Sequence, residues 1–163
     1  MKILVAAASK HGATKEIAER IGSRLGDAGF AVEVAATDEA PGPGNYDAAV
    51  VGSGVYAGNW LKSARQYVEQ HAATLATMPV WLFSSGPLGN PPKPDADEAV
   101  KADAFVEQTQ AVGHELIAGA AAKDKLGFAE KSIMKAVRAP YGDFRDWDAI
   151  DAWADTIARQ LTS

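Results

Sequence analysis

The sequence predicts a doubly wound α/β domain, a parallel sheet with helices on both faces. Two observations carry this. Short apolar runs alternate with longer stretches of helical periodicity, the pattern of successive strand–helix–strand units. The first run, Lys2–Ala8, is continuously apolar after Lys2, as a strand covered on both faces must be.

The elements follow in order. Residues 14–28 place Ile17, Ile21, Leu25 and Ala28 on one helical face, and Gly29 suits a helix end. Residues 30–36 read as the second strand and Pro41-Gly42-Pro43-Gly44-Asn45 as a loop. Residues 47–53 are the third strand. Residues 59–77 carry Trp60, Ala64, Tyr67, Val68 and Leu75 at helical spacing. The fourth strand spans 79–85, and the Gly/Pro-rich 86–94 is a loop. Asp95 or Asp97 caps a helix that runs to about Val112, and 114–119 is the fifth strand. A short helix is expected around 129–138, stopped by Pro140. The last begins near Asp146, with Trp147, Ile150, Trp153, Ala154, Ile157 and Leu161 on its buried stripe.

Composition narrows the chemistry. Of 163 residues, 47% are hydrophobic and 23% charged, the balance of a globular chain with a core of its own. Alanine accounts for 33 residues, so the core is built of small side chains and depends on close approach of its elements. No apolar run nears the roughly 18 residues that span a bilayer, and the N-terminal run is too short for a signal peptide. The expected location is therefore the cytoplasm. There is no cysteine, which excludes disulfides, thiolate nucleophiles, iron–sulfur clusters and zinc sites built on cysteine. Redox chemistry in this chain needs an organic cofactor. The net charge of −5 argues against nucleic-acid binding. That charge is uneven: residues 123–138 hold five cations and two acids, a net of +3 that leaves −8 on the remainder.

In an open parallel sheet, ligands sit beyond the carboxyl ends of the strands. After the first strand comes Ser9-Lys10-His11-Gly12-Ala13-Thr14, which opens directly into a helix. Hydroxyls at both ends, a glycine and a helix N-terminus suit a phosphate; a plain turn capped by Thr14 is the alternative. After the third strand, Gly52, Gly54 and Ala57 match the dinucleotide pattern G-x-G-x-x-G/A. The match is a decoy, because that pattern belongs to the first strand–helix turn with an acid about 20 residues on. What the segment offers is two aromatics, Tyr56 and Trp60, flanking Ala57-Gly58. After the fourth strand, Ser84-Ser85-Gly86-Pro87-Leu88-Gly89 is a second backbone-rich loop.

These loops resemble those of the flavodoxin-like FMN proteins, whose phosphate loop has the form T/S-x-T-G-x-T. Ser9, Gly12 and Thr14 match, while His11 stands where that family usually has Thr. The chain is most similar to the branch containing menaquinone-dependent protoporphyrinogen dehydrogenase. That likeness rests on the Ser9-to-Thr14 loop, on Gly52-Ser53-Gly54-Val55-Tyr56-Ala57-Gly58, and on Gly142-Asp143-Phe144-Arg145-Asp146-Trp147-Asp148-Ala149-Ile150. The resemblance extends over essentially the whole chain. It implies one flavodoxin-like domain over 1–163, five parallel strands in order 2-1-3-4-5, and one FMN held without a covalent bond, with a deazaflavin as the alternative. Ser9, Lys10, His11, Gly12, Ala13 and Thr14 would then hold the phosphate. Val55, Tyr56, Ala57, Gly58, Asn59 and Trp60 would line the ring, with Tyr56 and Trp60 stacking on or bordering it. Ser84, Ser85, Gly86, Pro87, Leu88 and Gly89 would hold its polar edge. The implied activity is that of a quinone-linked flavin oxidoreductase, whose partners are a quinone or a redox protein. A small electron-transfer flavodoxin and a deazaflavin-binding module are the alternatives.

The remaining candidates read as structural. His71 lies among polar residues of a helix and His114 begins a strand. No pair of the three histidines has metal-ligand spacing, so no metal is expected. Ser84 and Ser85 lack the G-x-S-x-G context of a nucleophile. Residues 142–150 read mainly as a helix start, capped by Asp143 or Asp146. The 123–138 stretch reads as a packed helix with a basic face. It is also the place for contact with an anionic partner or membrane surface at the inner face of the membrane.

Overall fold

The computed structural model describes residues 1–56, 58–86, 102–121 and 142–163. Strand β1 (Lys2–Ala8) leads into helix α1 (Ala13–Asp27), and the edge strand β2 (Ala31–Ala36) follows. A 3-10 turn at Pro43–Asn45 precedes β3 (Ala48–Tyr56), the two-residue β4 (Asn59–Trp60) and helix α2 (Lys62–Leu75). Then come β5 (Val80–Gly86), helix α3 (Asp103–Thr109) and β6 (Gly113–Ala118). The short strands β7 (Ala120–Ala121) and β8 (Gly142–Asp143) pair with each other ahead of helix α4 (Trp147–Thr162).

The main sheet has the order β2-β1-β3-β5-β6, all parallel. This is the expected 2-1-3-4-5 arrangement once β4, which pairs antiparallel with β3, is set apart. The strand order reverses between β1 and β3, so their carboxyl ends open a crevice at the sheet edge. Strand periodicity divides the core into two layers. Ile3 and Val5 of β1 face Ile17, Ile21 and Leu25 of α1 and Ile150 and Ile157 of α4. Leu4 and Ala6 face the opposite layer, with Tyr67 and Val68 of α2 and Phe105 of α3. Two bidentate ion pairs, Arg20 with Asp151 and Arg24 with Asp155, tie α1 to α4 across the first layer.

Three elements depart from the sequence expectation by three residues or more. The strand expected over 47–53 runs on to Tyr56, because Gly54 still pairs with Ser85 and because Val55 and Tyr56 pair back onto β4. The helix expected from residue 59 begins only at Lys62. Trp60, counted on that helical face, is instead in β4, and its indole is sunk into the core at 2% exposure. A hydrophobic residue at helical spacing also satisfies a short strand that turns into a helix, and the pattern alone does not separate them. Where a helix was expected from Asp95 or Asp97 to about Val112, a helix spans Asp103–Thr109, with Ala102 at its N-cap and Gln110 at φ 53 ending it; Asp95 and Asp97 lie outside the described residues. The expected helix around 129–138 lies outside the described residues. For α4, Asp146 is the cap, its carboxylate accepting from the Ala149 amide at 3.0 Å.

Candidate functional site

The carboxyl ends of β1, β3 and β5 meet at one glycine. A Cβ at Gly54 would lie 3.2 Å from Thr14 Oγ1 and 3.8 Å from the carbonyl oxygens of Ala8 and Ser85. The absence of a side chain thus lets the end of β3 close against the first turn of α1 and the end of β5. This is the physical reason for one glycine of the decoy pattern. Gly52 has another, since a Cβ there would overlap the Phe83 ring.

The loop between β1 and α1 is organised around Gly12. Its φ of 93° is left-handed and it stands at the N-cap of α1, a conformation that costs a residue with a side chain far more than glycine. Its amide donates to Ser9 Oγ at 3.1 Å. Ser9 accepts in that bond, which leaves its own proton to donate. The amides of the first helical turn have no partner within the helix, and the helix dipole makes that end attractive to an anion. Thr14 is buried at 5% exposure, while Lys10 and His11 are exposed. Lys10 Nζ stands over the Tyr56 ring, 4.3 Å from its centroid, so the first loop touches the second.

Tyr56 and Asn59 face each other across a hairpin whose turn contains Gly58 at φ 81°. Behind the hairpin, Ser53 Oγ accepts from the Leu61 amide at 3.0 Å, and Arg65 Nε donates to the Trp60 carbonyl at 3.1 Å. Trp60 was expected to stack on or border a planar ring. In the structure its Nε1 donates to Ser84 Oγ at 2.7 Å and the ring packs on Phe105 at 4.9 Å between centroids. It anchors the hairpin from below. Tyr56, half-buried, is the aromatic left at the crevice.

Ser84 and Ser85 divide their roles by strand alternation. Ser84 faces the α2 layer, where its Oγ also meets His114 Nε2 at 2.6 Å. Ser85 is 1% exposed, and its Oγ has no hydrogen-bond partner among the described residues. Beside it Gly86 and Gly119 approach closely, with the Gly119 amide donating to the Gly86 carbonyl at 2.7 Å; a Cβ at Gly119 would sit 2.9 Å from Ser85 Oγ.

Arg145 was not singled out as a site residue from the sequence. Its guanidinium binds Asp143 at 2.7 Å and Glu16 of α1 at 3.3 Å, and it lies over the Trp147 ring at 4.9 Å. The hydrogen bond from Arg145 holds the Asp143 carboxyl below the usual carboxylate range. Arg145 fastens the 142–146 segment to the start of α1. The signal for it was the Asp143-x-Arg145 pair inside a segment already noted as charged and aromatic.

Ala57, Pro87, Leu88 and Gly89 lie outside the described residues, as does the basic stretch 123–138. Among the described residues there is no cluster of His, Asp and Glu fit for a metal ion. Nor is any helix among them long and apolar enough to cross a membrane.

Comparison with known proteins agrees with this fold. The model of the flavodoxin domain family matches residues 4–148. Protoporphyrinogen IX dehydrogenase [quinone] of Escherichia coli (strain K12) is 24% identical over 172 aligned residues, covering 97% of this chain and 95% of that protein. Among solved structures, a flavodoxin from the domain Archaea superposes with a TM-score of 0.63 at 17% identity over the full length of both chains. A flavodoxin of Streptococcus pneumoniae TIGR4 superposes with a TM-score of 0.63 at 18% identity, covering 98% of this chain and 99% of that one.

Proposed function

Starting from the fact that this chain belongs to the flavodoxin domain family, we propose that it binds one FMN at the carboxyl ends of β1, β3 and β5 and carries out redox chemistry with it. The observation that carries the reading is the closure of three strand ends on Gly54. It sets a phosphate-suited helix start, an aromatic hairpin and a serine-bearing strand end around one crevice.

The residues present fit this cofactor. A phosphate needs clustered donors and finds the first-turn amides of α1, Ser9, Thr14 and Lys10. The ring needs an apolar neighbour, which Tyr56 supplies, and hydrogen-bonding groups at its polar edge. Ser85 Oγ, buried and without a partner among the described residues, suits a ligand that brings its own donors and acceptors. FMN supplies the electron chemistry when bound; the chain holds it, orients it and screens it from water. Trp60, Ser84 and Ser53 act one step removed, by fixing the hairpin that carries Tyr56. The deazaflavin alternative finds no support in the family match or the relatives and is set aside.

Within this reading the activity is a quinone-linked dehydrogenation, supported by the end-to-end match to the Escherichia coli enzyme. It would operate in the cytoplasm, with the basic stretch 123–138 at an anionic membrane face where quinones reside. A protein-to-protein electron shuttle is the second reading, supported by the equally complete match to an archaeal flavodoxin. Reconstitution decides both levels. Purified protein incubated with FMN and desalted should keep a flavin absorption spectrum with quenched fluorescence, and a colourless product overturns the proposal. Turnover of a porphyrinogen with a quinone then separates the enzyme from the shuttle.

A further inference from the structure

We propose that Arg145 sets the preference of this crevice for a phosphate-bearing ligand, by cancelling the charge of Glu16 at the start of α1. The inference rests on the FMN reading above and deepens it, because it names a positioning residue outside the three loops. The first turn of α1 poses a conflict. Its amides and dipole attract a phosphate, yet Glu16 puts a carboxylate in the same turn. An acid there stabilises the helix and competes with an anionic ligand for the same end. Side chains of a helix tilt towards its N-terminus, so position 16 directs its charge to the ligand side.

Arg145 meets this charge from the far end of the chain. Its Nε and Nη2 donate to the two carboxylate oxygens of Asp143 at 2.9 and 2.7 Å. Nη1 is thereby turned to α1, where it lies 3.3 Å from Glu16 Oε2 and 3.5 Å from the Ala13 carbonyl oxygen. A planar guanidinium can grip one carboxylate with two donors and present a third to a second; an ammonium has no such fork. The Arg145 side chain is 12% exposed and lies over the Trp147 ring at 4.9 Å, so its charge is held in place. The backbone beneath is fixed as well, the Phe144 amide donating to the Gly119 carbonyl at 3.0 Å. Two neighbouring acids are engaged elsewhere, Glu19 with Lys15 and Asp151 with Arg20.

The consequence follows from charge. Glu16, Asp143 and Arg145 are two acids and one cation in contact; without the guanidinium, both acids face an incoming phosphate. Glu16 stands about one helical turn, roughly 5.4 Å, from the amides that would meet that phosphate. At the effective dielectric of a protein surface, and after screening by salt, a unit charge at such range changes anion affinity by about tenfold. A ligand without the phosphate should not sense the change.

The test is a fluorescence titration of parent and variants with FMN and with riboflavin at low ionic strength, read as the ratio of the two dissociation constants. Arg145→Gln should reduce the preference for FMN about tenfold, roughly 1.4 kcal/mol, and leave riboflavin affinity unchanged. Arg145→Lys, which keeps the charge, should stay close to the parent. Adding Glu16→Gln to Arg145→Gln should restore most of the preference, and raising salt should narrow the gap between Arg145→Gln and the parent. Should Arg145→Gln fail to fold, Glu16→Gln alone decides: with this partner gone, the Arg145 charge should tighten FMN several-fold, and an unchanged ratio overturns the proposal. An Arg145→Gln variant with the parent's ratio, with both ligands weakened equally, or with a loss that Glu16→Gln does not reverse, overturns the role of Arg145 and leaves the FMN reading standing. A parent that takes up no FMN, or holds FMN no tighter than riboflavin, overturns both.

Discussion

Ser84 is where the fold and the candidate site share one atom, and its removal has a calculable effect. Ser84 is fully buried, and its Oγ accepts from Trp60 Nε1 at 2.7 Å and meets His114 Nε2 at 2.6 Å. In Ser84→Ala the Trp60 indole N–H, in a residue 2% exposed, loses this acceptor and has no solvent to replace it. An unsatisfied buried donor costs about 1–3 kcal/mol. For a chain of this size that is a fall in Tm of roughly 2–4 °C per kcal/mol, so about 4–8 °C for a mid-range cost. Urea unfolding followed by circular dichroism should show a lower midpoint at unchanged slope, the sign of a stability change without a change in surface exposed. The sharper check is a cycle with Trp60→Phe, which keeps a ring but removes the donor. Adding Ser84→Ala to Trp60→Phe should cost much less than it costs the parent, a coupling of about 1–2 kcal/mol. Additive losses, or a Ser84→Ala variant with the parent's Tm, would refute the idea that this bond pins the hairpin.

Other outcomes follow from the same geometry. Thr14→Ala should weaken FMN by about 1–3 kcal/mol, the range of a hydrogen bond to a charged group, and leave riboflavin affinity unchanged; fluorescence titration of both ligands reads it. Gly54→Val should fold but lose at least about tenfold in FMN affinity, roughly 1.4 kcal/mol, because the new side chain meets Thr14 Oγ1 at 3.2 Å; an unaltered dissociation constant would remove the convergence point from the site. Tyr46, hydrogen-bonded to Glu33, and Tyr67, desolvated by burial, are both pushed up to about 12. Their neutral forms favour the folded state, so their contribution is complete below pH 10 and is lost as pH rises towards 12. Ultraviolet titration should show two of the four tyrosines ionising late, and four equal transitions near 10 would contradict this.

The sheet was legible in the sequence because fully buried parallel strands leave an uninterrupted apolar signature, and β1 has the predicted limits of Lys2–Ala8. The loops were legible because glycines and hydroxyls fall where strand ends meet helix starts. Trp60 was placed on a helix because its spacing fits one, while the atom its indole bonds, Ser84 Oγ, is 24 residues away. Still longer separations in sequence hid the link from Lys10 to Tyr56 and the closure of Thr14 on Gly54. Local pattern specifies elements; contacts between strand ends are set by register, and a three-residue extension of β3 was enough to move the hairpin out of the expected helix.

The central claim is that three strand ends of this chain hold a flavin mononucleotide through its phosphate. Calorimetric titration of the apoprotein with FMN and with riboflavin, at matched ionic strength, tests it directly. The account predicts that FMN binds about a hundredfold tighter, roughly 2.8 kcal/mol, because only FMN engages the helix start and its hydroxyls. Equal affinity for the two ligands, or heat from neither, would contradict it.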